Sequence, residues 1–197
     1  MNIKRILIFK SLIFLILVSV SGRVFAQNKF EKESRIKSKD VPPQALHFMN
    51  SLNLNTKVKW YKEEGLNRIS IEAKFKRDKA GYSVEFDSAG NIEDIEIEIN
   101  WSEIEWSLKD TIASKLQQNC ISYRIVKVQK QYTGTENDLY ALLAAGTNTS
   151  LIEAKYELIV KCRQQGSVDL FEYLLNDKGE ILSKSKIVYN KSSHLEY

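Results

Sequence analysis

The residues able to do chemistry are few and scattered. His47 and His194 are the only histidines in the chain. One sits beside an apolar helical stripe and the other in a polar tail, so neither a ligand pair at helical spacing nor a serine triad is expected. The acids are more suggestive. Asp94, Glu96 and Glu98 alternate with Ile95, Ile97 and Ile99, and carboxylates on one strand face have the chemistry to hold a cation or a basic partner. The same alternation is the ordinary way to solvate the outer face of a one-sided sheet, and that is the expected role here. Paired acids for glycosidase-type chemistry would need a fixed separation across a cleft, which spacing along the chain does not supply.

Two loops carry the acids and glycine of a calcium loop: Asp87, Ser88, Ala89, Gly90, Asn91 and Asn176, Asp177, Lys178, Gly179, Glu180. Ala89 and Lys178 stand where alternate oxygen ligands are needed. Hairpin turns are expected instead, with Asp87 or Asn176 bonding its own turn and the glycine at positive φ. No phosphate-cradling glycine loop and no CxxC is present. No catalytic, cofactor-binding or metal residues are expected, and the chain reads as non-enzymatic, with no cofactor.

Cys120 and Cys162 are the only cysteines. One falls at the end of a helical stripe and the other on the inward phase of a strand that this helix would cover. They form either a disulfide closing a loop of about 40 residues or two buried thiols. Candidate partner contacts are aromatic and apolar. Trp101 and Trp106 flank Glu103 and Glu105 in a connector, and tryptophan is enriched at interface hot spots. Within the segment 133–150, Leu139, Tyr140, Leu142 and Leu143 suit a short amphipathic helix that docks on a partner or folds back on its own sheet.

The elements that would position these residues repeat. Laying Gly90 on Gly179 brings Tyr82, Val84, Phe86 and Ile92 onto Phe171, Tyr173, Leu175 and Ile181 without a gap. Val41, Ala45, Phe48, Met49 and Leu52 fall at helical spacing after Pro42 and Pro43, and Leu108, Ile112, Leu116 and Cys120 do so after a Ser107 expected to cap a second helix. Each helix precedes four runs of strand-like alternation. The expected fold class is therefore α+β, two tandem modules of one helix on a four-stranded antiparallel sheet. Their expected bounds are a first module at 40–100, a connector at 101–107, a second module at 108–189 and a polar tail at 190–197.

The helix opened by Val41-Pro42, the strand ending in Trp60 and the run Tyr82-Ser-Val-Glu-Phe-Asp-Ser-Ala-Gly-Asn-Ile92 resemble the PepSY-like proteins of the bacterial envelope. That resemblance implies a fold similar to the β-lactamase-inhibitor protein, itself a tandem of helix-plus-sheet modules. The second copy lacks the opening Val-Pro and the strand-end tryptophan, and no inhibitory residue has a motif match.

Residues 1–26 have the parts of an export signal: Lys4, Arg5 and Lys10, an apolar core from Ser11 to Val20, and Val24-Phe25-Ala26 before Gln27. Cleavage near Ala26 would leave a polar, flexible leader at 27–39. It also changes the meaning of the net charge of +4. Lys4, Arg5, Lys10 and Arg23 come off the 29 basic residues, which leaves 25 against 25 acidic. The mature chain is then neutral and gives no reason to expect nucleic acid as partner. The expectation is a periplasmic or secreted protein, not embedded in the membrane, that binds an envelope protein, peptide or cell-wall ligand. The alternative is an inhibitor or regulator of an envelope hydrolase of the protease or β-lactamase class. An enzyme built on surface carboxylates is the least favoured reading.

Overall fold

Strand-forming alternation dominates the chain, and the computed structural model describes it over residues 27–30, 32–65, 68–146 and 152–188. The expected signal segment at 1–26, the tail at 190–197 with His194, and the end of the 133–150 insertion lie outside the described residues. Ten strands form one sheet: β1 (Gln27–Phe30), β2 (Lys32–Ile36), β3 (Lys59–Glu64), β4 (Ile69–Arg77), β5 (Ala80–Asp87), β6 (Ile92–Glu98), β7 (Ser122–Thr133), β8 (Glu153–Gln164), β9 (Ser167–Leu175) and β10 (Ile181–Val188). Their order across the sheet is β1-β10-β9-β8-β7-β6-β5-β4-β3-β2. β2 to β10 run antiparallel to their neighbours, and β1 joins β10 in parallel.

Three α-helices lie on one face. Helix α1 (Pro43–Ser51) starts with proline at N1 and buries Ala45, Phe48 and Met49. Helix α2 (Trp106–Asn119) buries Leu108, Ile112 and Leu116. It begins before Ser107, with Glu105 at the N-cap and no side-chain cap. The Ser107 hydroxyl donates to Glu105 instead of capping the helix as the spacing suggests. Helix α3 (Glu136–Ala145) is capped by Thr135, ends at Gly146 with φ 67°, and buries Leu139, Leu142 and Leu143.

The expectation of two tandem helix-plus-four-strand modules is overturned. The sheet runs through the would-be boundary, because β6 and β7 pair from Ile95↔Tyr132 to Glu98↔Gln129. The apolar core has two lobes. One gathers Phe48, Trp60, Phe75, Val84, Phe86 and Ile95 under α1. The other gathers Leu108, Ile112, Leu116, Leu158, Val160 and Tyr173 under α2. Leu139, Leu142 and Leu143 of α3 belong to the first lobe, although α3 sits in the β7–β8 connection. An element of the second half thus completes the core of the first, and the molecule is a mostly-β single sheet.

The expected flexible leader is also structured. Ile36 packs against the first lobe opposite Trp60, which gives this polar stretch an apolar anchor. β1 pairs with β10 while β2 pairs with β3, and one residue separates them. Two residues of chain span at most about 7.6 Å, so the two edges of the sheet are held close together. The sheet rolls, with the helices outside and the opposite face within.

Candidate functional site

The inner face is built by strand parity. In β5, Val84 and Phe86 point to the helix side, so Ser83 and Glu85 point inward; in β6, Ile95 faces the core and Asp94 and Glu96 turn inward. The hairpin turn at Asp87 pairs Phe86 with Ile92, and a register shift between Phe86 and Glu85 then places Glu85 directly opposite Asp94, with Glu72 of β4 on the other side of Glu85. Three carboxylates therefore stand in one cross-strand row. The neighbouring row holds Ser83, Glu96 and Gln131.

Because the sheet rolls, Glu85, Asp94, Glu96 and Gln131 line a cleft of about 170 Å³ rather than a flat surface. Its walls come from eight consecutive strands: Glu63, Ser70, Glu85, Asp94, Glu96, Gln131, Glu157, Glu172, Leu174 and Ser183, with Arg68 just ahead of β4. Asp94 and Glu96 are only 9% and 7% exposed. The expectation that this acidic strand face is solvated is thus corrected for Asp94 and Glu96, and curvature is the reason. Glu98, at the strand end, stays exposed as expected.

The acids differ in how their charge is met. Glu72 has Lys74 Nζ at 2.8 Å and receives the Ser83 hydroxyl. Burial opposes the charge on Lys74, yet the carboxylates of Glu72 and Glu33 raise its pKa overall. Glu96 accepts from Gln129 at 2.8 Å, and Asp94 Oδ2 accepts from Gln131 at 3.2 Å. Arg68 reaches Glu85 at 3.5 Å but is bonded more closely to Glu93. Burial first, and then Glu96, push the Asp94 carboxyl up to about 7, while Arg68 pulls the other way. The Glu85 carboxyl is raised by burial and by its neighbours Asp94 and Glu96.

Two solved structures share this arrangement of elements. One, a DUF2874 family protein from Bacteroides ovatus ATCC 8483, is 13% identical and covers 75% of this chain and 89% of its own, with a TM-score of 0.51. The other, a DUF2874 family protein from Bacteroides uniformis ATCC 8492, is 11% identical and covers 74% and 89%, with a TM-score of 0.50. The fold is one shared with DUF2874 proteins. At this identity the DUF2874 likeness concerns the fold alone. No family model and no curated protein matches the chain, so the PepSY-like resemblance gains no support from those comparisons.

Apart from Asp94 and Glu96, the residues singled out from sequence lie away from this cleft. Cys120 and Cys162 are joined in a disulfide that ties the end of α2 to β8. Leu139, Leu142 and Leu143 are buried in the first lobe and are not free to meet a partner. Tyr140 packs edge-on against Phe48 and donates to the Ser51 carbonyl. Trp101 packs on the second lobe, whereas Trp106 is 75% exposed. Glu85, Asp94 and Glu96 escaped as a group because no one strand shows it. A turn at Asp87 to Asn91 in unbroken register would set Glu85 across from Glu93, and the register shift beside Phe86 that brings Asp94 there is not marked by local spacing.

Proposed function

We propose that the protein is an exported, non-enzymatic binding module of the bacterial cell envelope whose rolled sheet takes a cationic segment of a protein or peptide at its inner face. The observation that carries this reading is the cleft lining. Six carboxylates, Glu63, Glu85, Asp94, Glu96, Glu157 and Glu172, face one guanidinium, Arg68, among the residues that form it. A concave wall of one charge sign concentrates the opposite charge, and its low-dielectric floor strengthens the attraction. Phosphate-rich ligands are repelled by the same field, which argues against nucleic acid.

Export rests on the 1–26 segment and is supported by the Cys120–Cys162 disulfide, a bond that persists in oxidising compartments. A protein or peptide is the kind of ligand that presents several lysine or arginine cations in a row. An envelope hydrolase with an exposed basic loop is one partner of that kind. Among the described residues no helix is long and apolar enough to cross a membrane.

Fluorescence anisotropy with a labelled lysine- and arginine-rich peptide tests the reading, with an acidic peptide of equal length as control. The basic peptide binds, the acidic one does not, and a Glu157→Gln/Glu172→Gln chain binds several-fold more weakly. Equal binding of the two peptides, or none of either, overturns it.

A further inference from the structure

Like charges directly opposite one another on neighbouring strands are destabilising, and the inner face does this in the row Glu72, Glu85, Asp94. For Glu72 the repulsion is already answered, since Lys74 lies 2.8 Å from both Glu72 and Glu33. The acid group Glu33, Glu63, Glu72 therefore has its cation built in. The group Glu85, Asp94, Glu96 has Arg68 at 3.5 Å from Glu85, a cation it shares. One oxygen from each of these three lies within 4.8 Å of the others, and the nearest guanidinium, on Arg68, is engaged by Glu93.

A second observation falls on the same spot. Asp94 lines the cleft and is nine-tenths buried, and its Oδ1 has no hydrogen-bond partner among the described residues. The other oxygen, Oδ2, is satisfied by Gln131. A buried acceptor without a donor carries its full desolvation penalty. Something that brings positive charge to Oδ1 would remove that penalty and the repulsion together.

We propose that Glu85, Asp94 and Glu96 hold a hard divalent cation of calcium's size at the floor of the cleft. The donor set decides the class. All three side chains offer oxygen, which suits calcium, magnesium or manganese rather than a metal preferring nitrogen or sulfur. The spacing favours the largest. Two oxygens on one calcium, each about 2.4 Å away, stand up to about 4.8 Å apart, whereas magnesium at about 2.1 Å draws them within about 4.2 Å. Three oxygens within 4.8 Å of one another can close on one ion, and calcium, with longer bonds and a more flexible coordination, asks less closure of them than magnesium. The cleft of about 170 Å³ has room beyond the ion for several waters at about 30 Å³ each, which complete a coordination number of six to eight.

The site shares its cleft with the proposed cationic segment and deepens that reading. The two are separated by variants. Glu157 and Glu172 line the cleft from β8 and β9, outside the three-carboxylate group.

The test is isothermal titration calorimetry of the chelator-stripped full chain with calcium chloride, repeated with magnesium chloride and paired with melting curves. One calcium per chain is expected, with a raised melting temperature and at least tenfold weaker magnesium binding. Asp94→Asn lowers calcium affinity at least tenfold, and Glu157→Gln/Glu172→Gln, which removes only field and no ligand, lowers it less than threefold. The absence of both a calcium heat and a calcium-dependent melting shift in the unmodified chain overturns the proposal, and so does an Asp94→Asn chain that binds calcium as tightly as the parent. The unmodified chain is decisive even where Asp94→Asn fails to fold, and Glu96→Gln then supplies the second variant. A chain that binds the basic peptide but not calcium refutes the metal site and leaves the proposed function standing. Calcium bound without any peptide preference does the reverse.

Discussion

The β5–β6 and β9–β10 hairpins turn alike, and their inner faces do not. Asp87 Oδ1 accepts from the amides of Ala89 and Asn91 at 2.8 and 2.9 Å, and Asn176 Oδ1 accepts from those of Lys178 and Glu180 at 3.0 and 2.9 Å. Gly90 and Gly179 both take positive φ, 95° and 77°. On the inner face the second half sets an apolar residue opposite each acid, Glu157 across from Leu174 and Glu172 across from Ile159. The first half sets acid opposite acid, Glu85 between Glu72 and Asp94. The helix side repeats because packing under a helix allows few solutions. The inner side is free of that demand, and there the first half breaks a local rule that the second obeys, as a sheet does where it serves a ligand.

The comparison is sharpened most by breaking the second half's own fastening. Replacing Cys120 and Cys162 by serine removes a link across 42 residues and costs about 4 kcal/mol in the chain-entropy model. Urea unfolding stays a single transition, because the sheet is continuous. Two separated transitions would mean that the halves fold apart. Leu143→Ala crosses the halves, since it empties space in the first lobe from a helix that follows β7. It costs about 3 kcal/mol, again in one transition.

The two turns give a smaller contrast. A Cβ on Gly90 would lie 2.9 Å from the Ala45 amide nitrogen and from Pro42 Cβ, whereas on Gly179 it meets only side-chain atoms of Leu108 and Thr111 at 3.0 Å. Backbone cannot yield as a side-chain end can. Gly90→Ala is expected to lose about 2 kcal/mol and Gly179→Ala about 1 kcal/mol by the same denaturation measurement.

Acidity marks the first half with two shifts of opposite sign. Asp94 has a raised pKa, so its folded form keeps a proton that the unfolded chain gives up. The stability this confers is present at acid pH and is lost as pH climbs from the ordinary carboxylate range through about 7. Asp87 runs the other way. Hydrogen bonds from the Asn91 side chain and amide hold its pKa down, so its contribution is present above the ordinary value and lost as pH falls through the lowered one. In chelator-containing buffer, urea stability is expected to fall between about pH 4 and pH 7. Asp94→Asn flattens that fall. Lowering the pH further shifts the amides of Ala89 and Asn91 in proton NMR more than those of Lys178 and Glu180, because their acceptor Asp87 takes up a proton and the acceptor Asn176 does not.

Much of the helix side was legible in the sequence. Strand parity, the proline-opened α1, the stripe of α2 and both turns follow from local spacing, which is where apolar periodicity and turn chemistry act. Three things were not legible, and each depends on contacts distant in the chain. The pairing of β6 with β7 makes one sheet of two similar halves. Leu139 and Leu143 pack across those halves. Lys32–Ile36, polar apart from its last residue, finds an edge at β3. The cleft follows from all three, so the burial of Asp94 could not be read from an alternating strand that looks solvated.

The central claim is that the first half's inner carboxylates are buried and crowded rather than solvated. Carbon-detected NMR titration of the side-chain carboxyls tests it directly in metal-free buffer. The account predicts that Asp94 titrates near 7 and Glu85 above its ordinary range, with Asp87 below its own. Asp94 and Glu85 titrating together at about 4, as free acids do, would contradict it.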